Sequence, residues 1–245
     1  MRAWLQPLMQ LVLPERCRLC HIHLQEPDRG LCASCLERID YLGASVCCRC
    51  GTPLASGLSP GFFCGRCIRH PPPWDQAVSL VRYGPQIQKL LLRLKYQADT
   101  TVVPALETIV RPVRPLANRR WDHLVPVPLH PSRLRARGMN QALSMAMLLF
   151  PDQHRAITQD LLLRTRATVP QTGLDGSARR RNLRGAFQIG SRHQVRGMRV
   201  CLIDDVFTTG STVWECARVL RRAGAAEVAV FTLARVVMGD QRPLS

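Results

Sequence analysis

The stretch from Val200 to Thr212 reads VCLIDDVFTTGST. Its first four residues are apolar, a run that suits a strand buried on both faces. The strand delivers Asp204 and Asp205 at its carboxyl end, where open α/β sheets bind ligands. The short loop Thr208-Thr209-Gly210-Ser211-Thr212 then opens a helix. Backbone N–H groups at such a helix start, together with several hydroxyls, suit a phosphate monoester. Gly210 lets the backbone approach closely because it has no Cβ. The two carboxylates lie one loop-length away and can accept hydrogen bonds from vicinal ribose hydroxyls. A sugar-phosphate is the natural ligand.

An apolar strand ending in two aspartates also occurs in P-loop ATPases. Those require G-x-x-x-x-G-K-[ST], which this chain lacks. A plain capped strand–helix turn accounts for Ser211 but not for the thirteen-residue pattern. The segment resembles the 5-phosphoribosyl-1-diphosphate (PRPP) signature of type I phosphoribosyltransferases: four hydrophobics, two acids, a hydrophobic pair, then T-T-G-S-T. That resemblance implies a PRPP site made of Asp204, Asp205, Val206, Phe207, Thr208, Thr209, Gly210, Ser211 and Thr212. The aspartates contact the ribose and Thr208 to Thr212 cup the 5-phosphate, with Mg²⁺ accompanying PRPP.

Outward from this segment, strands and helices alternate. Ser211–Arg222 has helical spacing, with Val213, Cys216, Ala217 and Leu220 inward and Glu215, Arg218, Arg221 and Arg222 outward. Gly224 ends it, and Val228–Ala234 is the next strand. Upstream, Val78–Tyr83 reads as a strand followed by two helices, the first carrying Ile87, Leu90, Leu91 and Leu94 on one face. Leu124–Val127 is a short strand, and a helix from about Gly138 presents Ala142, Met145, Ala146 and Leu149. The fold class is α/β, a parallel sheet flanked by helices. With the PRPP signature it is expected to be a type I phosphoribosyltransferase fold carrying a small N-terminal zinc-ribbon module.

Two arginine segments bear on the ligand. The first runs from His130 through Arg133, Arg135, Arg137 and Gly138 to Met139, Asn140 and Gln141. It follows a strand, and its arginines read as a loop that meets a diphosphate, since guanidinium forks pair with phosphate oxygens. The second holds Arg164, Arg166, Thr168, Gln171, Arg179, Arg181, Asn182 and Phe187 and reads as a mobile lid. Its flexible-loop residues are Arg164, Arg166, Gln171, Arg181 and Asn182. The bland alternative for both is a solvated basic surface.

The runs R-x-R-G-M-N-Q, R-x-x-x-T-x-x-Q and R-R-x-N-x-x-x-A-F, followed by the PRPP loop, resemble the ComF family of competence-associated proteins. The resemblance covers essentially the whole chain, including Lys95-Tyr96 and the cysteine region, and is especially close to the GntX-like DNA-utilisation branch. Met139 departs from the commoner phenylalanine, and Cys48 is an additional cysteine. The resemblance implies a role in natural competence and DNA uptake. Its expected partners are PRPP, single-stranded DNA or other nucleic acid, and competence proteins such as a DNA helicase. Glutamine amidotransferase chemistry is not implied, because position 2 is Arg2 and not cysteine.

Nine of the eleven cysteines precede residue 68. Eight of them form the C-x-x-C pairs Cys17/Cys20, Cys32/Cys35, Cys47/Cys50 and Cys64/Cys67. Two thiolates on a tight turn reach one tetrahedral ion, and two such turns supply four sulfur ligands. Eight ligands imply two structural zinc ions, and the family resemblance implies a double zinc ribbon. Sequential pairing is simplest, an interleaved one remains open, and Cys48 reads as a spare thiol with His21 and His23 as lesser ligand candidates. The expected domains are an N-terminal helix over 1–13, the double zinc ribbon over 14–73 and a phosphoribosyltransferase-like domain over 74–245. Cys201 and Cys216 read as core residues.

The net charge is +17, nearly all from arginine, because Lys89 and Lys95 are the only lysines. A chain this basic suits phosphate ligands or nucleic acid. No apolar run reaches the length of a membrane span, so no membrane insertion is expected. Without a clear export signal the expected location is cytoplasmic, which favours metal-bound thiolates over disulfides. Two functions compete. One is an active phosphoribosyltransferase using PRPP and an unidentified acceptor. The other is a nucleic-acid-handling protein whose PRPP site is a sensor or phosphate grip.

Overall fold

The computed structural model describes residues 15–24, 29–55, 61–112, 119–167 and 181–237. The helix expected over 1–13 lies outside them, as does Gln171.

Six strands are present among these residues: β1 (Gln76–Arg82), β2 (His123–Pro126), β3 (Leu162–Arg164), β4 (Phe187–Ile189), β5 (Arg199–Phe207) and β6 (Glu227–Arg235). Four form one sheet in the order β1-β6-β5-β2, and every pairing in it is parallel. The helices are α1 (Ala33–Glu37), α2 (Gly65–Arg69), α3 (Pro85–Tyr96), α4 (Val103–Val110), α5 (Pro131–Arg137), α6 (Gln141–Leu149) and α7 (Ser211–Arg222).

Parallel strands need crossovers that cover both faces of the sheet. Alternate residues of β5 show this directly. Cys201 and Ile203 pack with Leu90 and Leu94 of α3, Leu106 and Ile109 of α4 and Met145 of α6. Val200 and Leu202 pack on the other face with Val213, Cys216, Ala217 and Leu220 of α7. Burial on both sides is why β5 reads as a continuous apolar run and not as an alternation. This is the expected α/β fold, a parallel sheet flanked by helices.

Leu19, Leu31 and Ile39 of the cysteine-rich part join the core of α3 and α4. The Tyr41 hydroxyl donates to the Ile109 carbonyl at 2.9 Å. Strands β3 and β4 pair antiparallel beside α7.

The helix expected from about Gly138 is α6, which begins at Gln141 with Asn140 as its cap; Gly138 itself ends α5 in the left-handed conformation. One reading changes here. Glu215 does not point outward. It is buried, accepting from the Gly185 N–H at 2.7 Å and from Arg218, because the chain leading into β4 folds over that face of α7.

Candidate functional site

Near its carboxyl end β5 carries Asp204 and Asp205, which line a cleft of about 220 Å³. The cleft is lined by Asp204, Asp205, Val206, Thr208 and Thr212 from this segment. Arg133, Arg137, Asn140, Gln141, Arg164 and Lys95 line the rest. The Asp204 carboxylate accepts from the Asp205 N–H at 2.9 Å, and Asp205 accepts from the Val206 N–H at 2.8 Å. Burial and the neighbouring Asp205 charge hold the Asp204 carboxyl well above the usual carboxylate range. Lys95, in the last turn of α3, forms an ion pair with Asp205.

The loop after β5 turns at Gly210, whose φ of +73° is the left-handed region. Its carbonyl accepts from the Trp214 N–H at 2.8 Å, closing the first turn of α7. The Thr209 and Ser211 hydroxyls lie 2.8 Å apart. The remaining N–H groups of this helix start can receive an anion. Thr208 and Thr212 face the cleft, whereas Phe207 and Thr209 line a separate cavity of about 210 Å³ toward the second cysteine cluster.

The expected arginine loop is a helix. Pro131 stands in its first turn and the His130 ring accepts from the Ser132 N–H. Residues four apart share a helix face and residues two apart do not. Arg133 and Arg137 therefore line the cleft, while Arg135 is exposed and Gly138 borders a neighbouring groove. Arg137 also lies 5.5 Å above the Tyr96 ring.

Asn140 accepts from the Ala142 N–H at 3.1 Å and donates to the Val127 carbonyl at 3.2 Å, fixing α6 against the end of β2.

Arg164 was expected in a mobile loop. It is instead the last residue of β3, buried, with its guanidinium 5.4 Å from the Phe187 ring. Burial and the nearby Arg133 charge both lower its pKa. Cations drawn together in this way favour an anion between them. Arg166 donates to the carbonyls of Asn182 and Arg184 at 2.9 Å each. It lies outside the cleft lining, as do Arg181 and Asn182. The adjoining groove, about 650 Å³, is more apolar and is walled by Leu134, Met139, Leu143, Met147 and Leu163.

The cysteines gather as Cys17/Cys20/Cys32/Cys35 and Cys47/Cys50/Cys64/Cys67, each quartet with its sulfurs within 4.8 Å of one another. The Cys20–Cys32 and Cys50–Cys64 sulfurs are 3.6 and 3.7 Å apart, close to the roughly 3.8 Å edge of a tetrahedron with zinc–sulfur bonds of about 2.3 Å. Pairing is thus sequential, and both quartets fit structural zinc. Burial opposes the Cys17 thiolate, but backbone N–H groups of Cys20, Cys32 and Leu19 outweigh it and bring the thiol down to about 6. Cys48 is turned away and donates to the Phe62 carbonyl. Cys201 and Cys216 are buried in the core.

Magnesium fits less well. Among the described residues the clusters of three or more metal-ligating side chains are the two cysteine quartets. Asp205 is taken by Lys95 and Asp204 favours its neutral form. Two carboxylates, one of them already paired with Lys95, do not form a metal cage by themselves, so a divalent cation here would depend on ligand oxygens.

Lys95 is the cleft residue that sequence reasoning left without a role. Its signal was that lysine is used at only two positions.

Among the described residues no helix is long and apolar enough to cross a membrane. A family model described as a double zinc ribbon domain matches residues 8–68. The chain is 35% identical to the DNA utilization protein YhgH of Escherichia coli O157:H7, over 93% of this chain and 100% of that protein. It is 32% identical to Competence protein F of Haemophilus influenzae, over 90% and 96%. The solved structure of the allosteric regulatory enzyme of purine biosynthesis aligns with 54% of this chain and 26% of its own, at 22% identity and a TM-score of 0.34.

Proposed function

Since the chain belongs to the ComF family of competence and DNA-utilisation proteins, we propose that it is a cytoplasmic PRPP-binding protein acting in DNA uptake and use. The observation that carries this reading is the convergence on one cleft of Asp204 and Asp205 with Thr208, Thr212, Arg133, Arg137 and Arg164. In this reading the helix start at Ser211 receives the 5-phosphate and the carboxylates take the ribose hydroxyls. The three arginines meet the diphosphate by charge-assisted hydrogen bonds. Magnesium enters only as an ion carried on the diphosphate oxygens. Residues 14–73 form the zinc-binding part and 74–245 the ligand-binding part.

Calorimetry with PRPP tests it. Wild type binds, and the chain carrying Asp204→Asn with Asp205→Asn loses binding; equal binding by both removes the site assignment. Catalytic transfer is a separate question. An acceptor entering by the apolar groove next to Arg164 and Asn140 would release diphosphate, and assays with candidate bases read that release.

A second reading, binding of single-stranded nucleic acid, is favoured by the second cysteine part. Phe62 and Phe63 are exposed there, and Arg49 sits 5.0 Å over the Phe63 ring. Aromatic faces beside cations stack bases without sequence preference. Fluorescence anisotropy with single-stranded DNA tests it, with affinity falling steeply as salt rises and weakened by Phe62→Ala with Phe63→Ala. Salt-insensitive affinity argues against it. A DNA helicase is the competence partner class this reading admits.

A further inference from the structure

The cleft carries Lys95, Arg133, Arg137 and Arg164 against Asp204 and Asp205. Four cations to two acids leave it electropositive without any metal. Three of the cations are guanidinium forks suited to a diphosphate; the fourth is different. An ammonium is a compact point charge with three donors, and Lys95 places it on Asp205, one of the two carboxylates read as taking the ribose hydroxyls. Arginine supplies every other side-chain cation of the chain apart from Lys89.

Lys95 is held there. It stands in the last turn of α3, where the helix dipole favours a positive charge, and its side chain is 22% exposed beside an Asp205 that is 12% exposed. The helix itself is pinned from its other side: Lys89 donates to the Leu19 carbonyl and Arg93 to the Arg18 carbonyl, both at 2.7 Å. Arg93 is also bound by Asp99. The first cysteine quartet thus fixes the helix that presents Lys95.

We propose that Lys95 takes the place of a protein-held divalent cation in this cleft, so that PRPP binding does not require the magnesium that its diphosphate can carry. The inference rests on the reading of the cleft as a PRPP site. Lys95 neutralises Asp205 at Oδ2, while Oδ1, which accepts from the Val206 N–H, keeps a second lone pair for a ribose hydroxyl, and the arginines neutralise the diphosphate. Lys95 is a binding residue, and the metal requirement is what it sets.

The test is calorimetric titration of PRPP into the full zinc-loaded chain. One arm uses buffer passed over chelating resin and the other adds millimolar magnesium chloride. Zinc content is checked in both, which is why a soluble chelator is not used. Wild type is expected to bind equally in both arms. Lys95→Met, lacking a charged hydrogen-bond partner in a buried site, is expected to lose about 10- to 100-fold in the metal-free arm and to recover with magnesium. Lys95→Arg keeps the charge and retains most metal-free binding. Wild-type binding that appears only with magnesium overturns the inference and leaves the PRPP reading standing. Metal-free binding by Lys95→Met equal to wild type also overturns it. Wild type that binds in neither arm overturns the PRPP reading beneath it. The wild-type comparison decides the matter even where Lys95→Met fails to fold.

Discussion

The Phe207 ring lies so close beneath Gly210 that a Cβ on the glycine would come within 2.5 Å of the ring's Cζ. The ring cannot easily yield. Trp74 packs edge-on against it at 5.9 Å, and the buried Arg235 guanidinium lies 4.3 Å over its face. Arg235 in turn donates to the Cys50 carbonyl at 2.6 Å and to the Thr52 hydroxyl at 3.0 Å, and the Trp74 indole donates to the Arg49 carbonyl at 2.9 Å. The floor of the Thr208–Thr212 loop is therefore bolted to the turn that carries the second cysteine quartet.

Gly210→Ala combines a left-handed φ with this contact. The conformation alone costs about 1–2 kcal/mol for a residue with a Cβ, and the ring contact adds to it. The loop is expected to shift, with thermal stability lowered by several degrees and PRPP affinity lost. Differential scanning calorimetry and PRPP titration check both. An alanine variant that binds as wild type shows that the loop does not need this turn.

The same bolt links metal to ligand. The wild-type chain is expected to carry two zinc ions by elemental analysis. Cys64→Ser is expected to carry one, to melt at lower temperature and to bind PRPP more weakly, because the carbonyls of Arg49 and Cys50 lose their fixed positions. Structural zinc in modules with little apolar core supplies much of their folding energy. Full PRPP affinity in a one-zinc chain would show that the contacts from Trp74 and Arg235 do not depend on the metal.

The sheet and the strand–turn–helix from β5 to α7 were legible because both elements obey simple periods: an apolar run carrying two acids near its end, then Val213, Cys216, Ala217 and Leu220 at helical spacing. The arginine segment was misread as a loop for a physical reason. Helix α5 buries none of its residues, so it has no apolar stripe to detect. Pro131 in its first turn and Gly138 after its end were the available signals. Glu215 followed helical periodicity to the wrong face, because the segment that covers it is distant in sequence and its partner is a backbone N–H. Lys95 was visible as a motif, but its pairing with Asp205 joins helix to strand across the fold. The Phe62–Phe63 pair gave no signal as a platform, since Arg49 reaches it only through folding of the cysteine turns.

The helical placement of the arginines separates three residues that look alike in sequence. Arg133→Ala and Arg137→Ala are each expected to weaken PRPP by roughly 10-fold or more, the scale of a lost charge-assisted hydrogen bond. Arg135→Ala, on the exposed face, is expected to leave affinity unchanged. Titration of the three variants side by side reads this directly. Equal losses in all three would mean that the charge of the segment acts at long range and not by contact.

In the proposed site, Asp204 is expected to set ligand binding against stability. Burial and the Asp205 charge push its carboxyl up to about 8, above the ordinary value near 3.8 that it has when unfolded. A carboxyl raised in the folded state favours folding while protonated, so its contribution is intact below about pH 4 and is lost as pH climbs toward 8. Asp204→Asn removes the titrating group but keeps the shape. It is expected to melt a few degrees above wild type at pH 8, with the gap closing as pH falls toward 4, while losing PRPP. Melting curves across this range, paired with titration at neutral pH, test both halves. An asparagine variant that is less stable than wild type at pH 8 would mean that the Asp204 carboxylate is better compensated by Lys95 than its surroundings indicate.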